Sequence, residues 1–223
     1  MNRVIITAVD TVPRYVDGVK AWLKSLAVNA PDEKVMVYAQ NWDDVTAISS
    51  INPNAEIVRV CNDSSDPLVR NYIRYDILTN LLPRYDAVAW IDNDAIIRWP
   101  LGGLWDGVVP NSVKYWHRNR REHLCFQGGV FVLGAGKKSE KYCGAISAKL
   151  KTMKSDNAEE RWYAPQTYAY SYVALSGLSI VPMDMRYNDS TFMDDSVIWH
   201  CKSSHFADPK YQKEYQHYLG MIK

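Results

Sequence analysis

The stretch 87-AVAWIDND-94 decides how the rest of the chain is interpreted. Ala87–Ile91 is an unbroken apolar run, which predicts a strand buried on both faces. It leads directly into Asp92-Asn93-Asp94. Ligands of open α/β sheets bind beyond the carboxyl ends of the strands, so this acidic pair is expected where a ligand binds. Alternate residues of an extended segment point the same way, and both carboxylates are therefore expected to face one cation.

Carboxylate oxygens are preferred ligands of Mn²⁺ and Mg²⁺, which also take phosphate oxygens. A cation held by Asp92 and Asp94 would neutralise a diphosphate leaving group. The alternative is a solvated Asp-Asn-Asp turn without chemical function. The surrounding sequence is needed to choose between the two.

Strands and helices alternate on either side of this stretch, which predicts a mostly parallel sheet flanked by helices. The fold class is therefore α/β, a Rossmann-like single domain over residues 1–223. The apolar runs predict strands at Val4–Val9, Lys34–Ala39, Glu56–Val60, Ala87–Ile91, Gly128–Leu133 and Ser179–Met183. Helical spacing predicts helices from about Arg14, over Leu68–Leu82, around Ser139–Met153 and from about Ala164 to Gly177.

Composition excludes some classes of protein. The net charge of +1 gives no overall attraction to a polyanion, and four scattered cysteines indicate neither a zinc site nor a disulfide framework. The amino-terminal apolar run is too short for a signal peptide or a membrane span. We therefore expect no membrane insertion and a cytoplasmic location, which for a viral protein is the host cytoplasm.

Several ordered motifs together resemble the glycogenin-like glycosyltransferases, which have the GT-A fold and retain the anomeric configuration. The similarity is densest from about Arg70 to Trp105, where an arginine-bearing helix, a Leu-Pro-x-Tyr-Asp turn and a buried strand precede the aspartate pair. The matching segments are Tyr72–Leu78, Leu81–Asp86, Trp90–Asp94 and Pro100–Trp105. The resemblance implies a nucleotide-binding part up to about residue 105 and an acceptor-side part from about residue 106.

The resemblance also implies which residues bind the sugar-nucleotide donor. Arg70 and Arg74 are four residues apart, so they share a helix face and are expected to reach the phosphates or the sugar. Gly128 and Gly129 would let the backbone approach the sugar closely, although each also suits an ordinary turn. The remaining donor-binding candidates are Thr7, Ala8, Asp10, Tyr75, Asn93 and Lys202.

Two residues are catalytic candidates. Gln166 matches a glutamine that lies near the anomeric carbon in the family, but it lacks the family's flanking acids and could equally be a polar residue in a helix's first turn. Asp184 is the candidate base for an inverting reaction, with Asp194 and Asp195 as alternatives. The choice between retention and inversion stays open at this point.

His200 ends an apolar segment, Val197–Trp199, that resembles the family strand carrying the third metal ligand. A neutral imidazole suits Mn²⁺. The family's glycine and lysine beyond this histidine are replaced by Ser203 and Phe206, so Lys202 or His205 would have to contact the phosphate.

These features predict a metal-dependent hexosyl- or pentosyltransferase that uses a nucleoside-diphosphate sugar, with a UDP-linked donor favoured, and a hydroxyl acceptor. The basic and aromatic segment Lys114–His123 is expected to be a solvated loop; its functional alternative is an acceptor-binding surface. The acceptor would be a glycan, a protein or a hydroxylated nucleic-acid base. Alternative functions are a nucleotidyltransferase of related fold and a non-catalytic sugar-nucleotide binder.

Overall fold

The computed structural model of the chain describes residues 1–42, 45–61, 67–118, 125–201 and 205–222. Within these ranges, the side chains of 67–72 and 158 are not described. The strands are β1 (Arg3–Val9), β2 (Val35–Gln40), β3 (Ala55–Val60), β4 (Ala87–Ile91), β5 (Ala95–Ile97), β6 (Ser112–His117), β7 (Phe126–Gly134), β8 (Ser179–Pro182) and β9 (Ile198–His200). The helices are α1 (Pro13–Asn29), α2 (Thr46–Ser49), α3 (Pro67–Leu81), α4 (Lys137–Lys151), α5 (Ala158–Ser176) and α6 (Pro209–Gly220).

Seven strands form one sheet in the order β3-β2-β1-β4-β7-β6-β8. β1 pairs in parallel with β2, and β2 in parallel with β3. β6 is antiparallel to β7 and parallel to β8. A separate two-stranded sheet pairs β5 with β9. The predicted fold class, α/β with a mostly parallel central sheet flanked by helices, is confirmed.

The chain divides into two compact units that interleave along the sequence. The first unit comprises Val4–Asn62, Trp90–Leu104 and Asp184–Lys223. The second unit comprises Met1–Arg3, Asp63–Ala89 and Trp105–Met183. The division of function at about residue 105 stays a prediction.

In the first unit, α1 begins with Pro13, whose fixed φ suits the first helical position. It buries one face that includes Val19, Trp22 and Leu26. Burying a side chain of this size contributes roughly 1.5–3 kcal/mol, so this face holds α1 firmly in the unit. The helix also contacts β5 and α6, which are the elements that support the predicted metal ligands.

In the second unit, β7 is buried along its whole length, and α3, α4 and α5 pack against one another. The predicted helix start at Ala164 is wrong: α5 begins at Ala158 and is capped by the Asn157 side chain, which accepts hydrogen bonds from two backbone N–H groups. Gln166 is therefore inside the helix, and its interpretation as a first-turn residue is also wrong.

The segment expected to be a solvated loop is partly a strand, because Lys114–His117 belongs to β6. Tyr115 is buried and stacks on Phe126, with ring centroids 4.5 Å apart. Lys114 is buried as well, and its Nζ donates to the Asp106 carbonyl at 2.8 Å. Residues 119–123 of this segment are outside the described ranges.

Across the described ranges, we find no helix that combines the length and the hydropathy required to cross a bilayer.

Candidate functional site

Asp92 and Asp94 flank a tight turn between β4 and β5 in the first unit. The Ala95 N–H donates to the Asp92 carbonyl at 3.1 Å and closes the turn. The prediction that the two carboxylates lie close together is confirmed, but the expected reason, an extended segment, is wrong. The backbone turns at residues 93–94, and the ligand atoms of the two carboxylates and His200 lie within 4.8 Å of one another.

The β5–β9 ladder brings His200 to this turn. Ala95 pairs with His200 in an antiparallel register, so the histidine lies opposite the residue that follows Asp94. A hydrogen bond from the Cys201 N–H to the Asp94 carbonyl, at 3.2 Å, extends the ladder by one step. Two backbone segments that are distant in sequence therefore present their side chains to one point.

The three side chains have the geometry of a cation site. His200 Nε2 lies 3.5 Å from Asp92 Oδ2 and 3.5 Å from Asp94 Oδ1, and the three ligand atoms lie within 4.8 Å of one another. Adjacent ligands of an octahedral Mg²⁺ are about 3 Å apart, given metal–oxygen distances of about 2.1 Å. Asp94 Oδ1 is buried and accepts no hydrogen bond from any described residue. An unsatisfied buried carboxylate oxygen is costly, and a divalent cation would satisfy it.

The electrostatics of Asp94 agree with this interpretation. Burial, together with the nearby Asp92 carboxylate, raises the pKa of its carboxyl to about 6, although His200 and Arg14 act in the opposite direction. A carboxyl that is difficult to ionise on its own is stabilised as an anion by a bound cation. Arg14, an exposed residue of α1, is therefore a charged neighbour of the centre that sequence reasoning missed.

Two aromatic side chains hold the acidic turn in place, and neither was predicted. Trp90 Nε1 donates to Asp92 Oδ1 at 2.6 Å, which leaves Oδ2 to face His200. The Tyr211 hydroxyl of α6 donates to the Asp94 carbonyl at 2.9 Å. The signal for Trp90 was its place in the buried strand two residues before Asp92; nothing local to Asp94 indicated a tyrosine 117 positions later.

The predicted donor-binding residues at the end of β1 also lie in the first unit. Thr7 is fully buried, and its hydroxyl has no hydrogen-bond partner in the described part of the chain. Ala8 and Asp10 are partly exposed. The Ala8 carbonyl accepts a hydrogen bond from Asn93 Nδ2 at 3.0 Å, and Asp10 Oδ1 accepts one from the Val12 N–H at 3.0 Å. Asn93 therefore ties the acidic turn to the end of β1.

Gly18 allows α1 to pack closely on the acidic turn. A Cβ atom at this position would lie 3.0 Å from the Asn93 carbonyl oxygen. That is tighter than ordinary van der Waals contact, and the nearest atom belongs to the backbone. A side chain here would therefore push against the turn that carries the carboxylates.

A second group of predicted residues lies together in the second unit. Arg74 Nη1 donates to the Gly128 carbonyl at 2.9 Å. A Cβ atom on Gly128 would lie 3.3 Å from Arg74 Nη1 and 3.5 Å from Gln166 Cγ. Arg74, Gly128 and Gln166 therefore form one local group. Tyr75 is buried, and its hydroxyl donates to the Pro165 carbonyl at 3.3 Å.

The remaining predicted residues are placed as follows. Gly129 is buried within β7. Asp184, in the first unit, accepts hydrogen bonds from the Arg186 backbone N–H at 2.9 Å and from its guanidinium at 2.9 and 3.1 Å, and these bonds lower the pKa of the carboxyl. A carboxylate in this state is a weak base. The Arg70 side chain and the whole of Lys202 lie outside what the structure describes.

A cavity of about 470 Å³ lies in the second unit between α5, β6 and β8. Aromatic rings and small hydroxyl side chains line it. The His117 and Tyr170 rings are 6.0 Å apart, and Thr167 is adjacent in sequence to Gln166. β7 is antiparallel to β6, and His117 pairs with Phe126. The carboxyl end of β6 and the amino end of β7 therefore lie at the same end of the sheet.

Comparisons with known proteins agree with this architecture. The structure is similar to that of the galactosyltransferase LgtC in complex with donor and acceptor sugar analogs, with a TM-score of 0.62, 14% identity, and coverage of 99% of this chain and 96% of that one. It is also similar to the glycosyltransferase GlyE of Streptococcus pneumoniae TIGR4, with a TM-score of 0.65 and 14% identity over 98% of this chain and 60% of that one. An active-site mutant of LgtC gives a TM-score of 0.62 at 14% identity. No protein-family model matches the sequence, and neither does any curated protein.

The chain therefore has the GT-A fold of these glycosyltransferases. At 14% identity the likeness is one of fold.

Proposed function

We propose that the protein is a metal-dependent glycosyltransferase that moves a hexosyl or pentosyl group from a nucleoside-diphosphate sugar, with a UDP-linked donor favoured, to a hydroxyl acceptor. One observation carries the proposal: Asp92, Asp94 and His200 converge after a central strand of a GT-A fold, with a buried carboxylate oxygen that lacks a donor among the described residues.

A bound Mn²⁺ or Mg²⁺ would supply positive charge to the diphosphate leaving group. The protein's part is to fix the ligands: Trp90 orients Asp92, Tyr211 and Cys201 hold the Asp94 backbone, and the β5–β9 ladder holds His200. Ligands whose positions are fixed before binding need no reorganisation as the leaving group gains charge. In the proposal, Arg70, Arg74 and Lys202 bind the phosphates or the sugar, Thr7, Ala8 and Asp10 the nucleoside, and Tyr75, Asn93, Gly128 and Gly129 complete the donor contacts.

We propose retention of the anomeric configuration, as in the glycogenin-like family. Gln166 is then the polar group next to the reacting carbon, and its position next to the space left open at Gly128 supports a place beside a sugar that approaches the backbone. An inverting enzyme would need a base, and the hydrogen bonds from Arg186 make Asp184 a poor one.

The acceptor is proposed to be a glycan that binds in the cavity of the second unit. The rings of His117 and Tyr170 offer flat faces suited to the apolar face of a pyranose, and the Thr167 side chain also lines the cavity. Tyr170→Ala is expected to raise the KM for a glycan acceptor while the KM for the donor is unchanged. If the KM for both substrates stays unchanged, the acceptor binds elsewhere, and a protein or a hydroxylated nucleic-acid base becomes the candidate.

The test of the function is a calorimetric panel of nucleoside diphosphate sugars, with and without Mn²⁺, followed by product analysis for the donor that binds. We expect Mn²⁺-dependent binding and release of the nucleoside diphosphate. Asp94→Asn is expected to lower turnover by at least about 10³-fold, because one metal ligand and its charge are lost. Asp32→Asn, at an exposed aspartate of the same unit, is the matched control and should retain full activity.

The rival functions give different products. Binding without turnover, in the presence of a range of acceptors, would indicate a non-catalytic binder. Pyrophosphate release from a nucleoside triphosphate and a sugar phosphate would indicate a nucleotidyltransferase. Full activity of Asp94→Asn would contradict the proposed metal centre itself.

A further inference from the structure

The His200 side chain makes two different contacts through its two ring nitrogens. Nε2 faces the oxygens of Asp92 and Asp94 at 3.5 Å, while Nδ1 lies 2.9 Å from Asn188 Oδ1. A carbonyl oxygen of an amide accepts hydrogen bonds and cannot donate one. This contact therefore requires a proton on Nδ1, which leaves the lone pair of the neutral ring on Nε2, where a metal ligand needs it.

Asn188 is placed by backbone hydrogen bonds on both sides. It is fully buried, and its N–H donates to the Met185 carbonyl at 2.9 Å at the end of a short 3-10 turn. The next residue, Asp189, forms a parallel bridge with Trp199 of β9. In that bridge the His200 N–H donates to the Asp189 carbonyl at 2.7 Å. The backbone of Asn188 is thus fixed in register with the histidine that its side chain contacts.

The Asp189 carboxylate accepts hydrogen bonds from the segment that follows it, Thr191–Ser196. Its Oδ1 accepts hydrogen bonds from the Thr191 N–H at 2.7 Å and from the Thr191 hydroxyl at 2.6 Å. Its Oδ2 accepts from the Met193 N–H at 2.6 Å and from the Ser196 hydroxyl at 2.7 Å. Asp189 is buried, and these four bonds compensate for the burial of its charge. The chain on the carboxyl side of Asn188 is therefore closed into a rigid loop.

We infer that Asn188 is a positioning residue that fixes the tautomer and the orientation of His200, so that Nε2 is available to the cation. The inference rests on the metal centre of the proposed function. Asn188 acts through His200 and does not itself contact the cation. The alternative arrangement has the Asn188 amide rotated, so that its NH₂ donates to Nδ1; the ring proton would then lie on Nε2 and block the metal site.

The first experiment is ¹⁵N NMR of the histidine rings in the wild-type, metal-free protein at a pH at which His200 is neutral. We expect His200 to be the Nδ1–H tautomer. The Nε2–H tautomer would overturn the inference, and this measurement does not depend on any variant folding.

The second experiment measures Mn²⁺ affinity by calorimetry for two variants. Asn188→Asp keeps an oxygen that accepts from Nδ1, so Mn²⁺ affinity should stay within about threefold of wild type. Asn188→Leu removes the acceptor at similar volume and should weaken Mn²⁺ binding on the order of 10–100-fold, the usual effect of losing such a partner. The control is Asn52→Leu, at another buried asparagine of the same unit, which should leave Mn²⁺ affinity unchanged.

Equal Mn²⁺ affinity of Asn188→Leu and wild type would overturn the inference, as would equal losses in Asn188→Asp and Asn188→Leu. These experiments test the positioning role of Asn188 separately from the proposed transferase activity. A wild-type protein that binds Mn²⁺ in an Asn188-dependent manner but transfers no sugar would contradict the proposed function and support the positioning role.

Discussion

The proposed metal centre of the first unit and the Arg74–Gly128–Gln166 group of the second unit are built in different ways. In the first, charged side chains are held by backbone ladders and by hydrogen bonds from Trp90 and Tyr211. In the second, the decisive feature is space, because a glycine leaves room beside an arginine and a glutamine. We therefore expect the first site to be most sensitive to loss of a polar atom, and the second to be more sensitive than the first to gain of a small apolar one.

The largest expected effect is on Mn²⁺ affinity, which should depend on the first site and not on the second. His200→Ala removes one of the three proposed metal ligands, so we expect Mn²⁺ affinity to fall by about 100-fold or more, with turnover falling at least as far. Gln166→Ala should reduce turnover but leave Mn²⁺ affinity at the wild-type value. Calorimetric titration with Mn²⁺ measures both variants, and a loss of Mn²⁺ affinity in Gln166→Ala would remove the distinction between the sites.

The next effect concerns stability. Asp189→Ala removes a buried carboxylate that accepts four hydrogen bonds and leaves their donors unsatisfied. We expect the free energy of unfolding to fall by about 3 kcal/mol at pH 7, as measured by urea denaturation. Asp32→Ala, at an exposed position, is the control and should change it by less than about 0.5 kcal/mol.

The pH dependence of the same variant has a definite sign. Burial acts to raise the pKa of Asp189, but the hydrogen bonds from Thr191 and Ser196 outweigh it, and the pKa in the folded protein is lowered. The stabilisation is therefore fully present above the unfolded-state pKa of about 3.9 and is lost as pH falls below it. The stability difference between wild type and Asp189→Ala should shrink as the pH falls below about 4; a difference that grows on acidification would contradict this.

A smaller effect is expected from a methyl group in the second unit. Gly128→Ala would press on Arg74 and fill the space next to Gln166, and we expect turnover to fall about tenfold while Mn²⁺ affinity stays constant. Gly144→Ala is the matched control, since a Cβ there meets nothing within 4 Å. Steady-state kinetics at saturating Mn²⁺ measures both; equal rates for the two variants would mean that the space at Gly128 has no role in the reaction.

The smallest effect is the same substitution at the first site. Gly18→Ala places a Cβ 3.0 Å from the Asn93 carbonyl and should weaken Mn²⁺ binding about threefold by displacing the acidic turn slightly. Gly220→Ala, where a Cβ meets nothing within 4 Å, is the control. If Gly18→Ala instead lowers turnover without changing Mn²⁺ affinity, it behaves like Gly128→Ala, and the proposed difference between the two sites is contradicted.

The sequence predicted those elements whose signal is local. The continuous apolar runs of β1 and β4 indicated buried strands, and the aspartate pair after β4 indicated a cation site. His200 was found through family resemblance, because neither the length nor the composition of its short strand sets it apart. The turn at Asp92-Asn93-Asp94 was considered only as an alternative without function. The pairing of β5 with β9, which brings His200 to it, has no local signal because it is a contact between distant residues.

Helix α6 was also missed, although its signals were present. Asp208 caps it and Pro209 begins it. Its buried positions, Tyr211, Tyr215 and Tyr218, follow helical spacing, but tyrosine is a weak marker of a buried face because it carries a hydroxyl. The start of α5 was missed for a related reason, because its first turn is acidic and lacks an apolar stripe. In both cases a capping residue was the better signal than hydropathy.

The hydrogen bond from Tyr211 to Asp94 has a consequence for biosynthesis. The aspartate leaves the ribosome long before the tyrosine that holds its carbonyl, so the nascent chain emerges with an acidic loop that is not yet anchored. The proposed cation centre therefore matures only after α6 has been released from the exit tunnel and has folded.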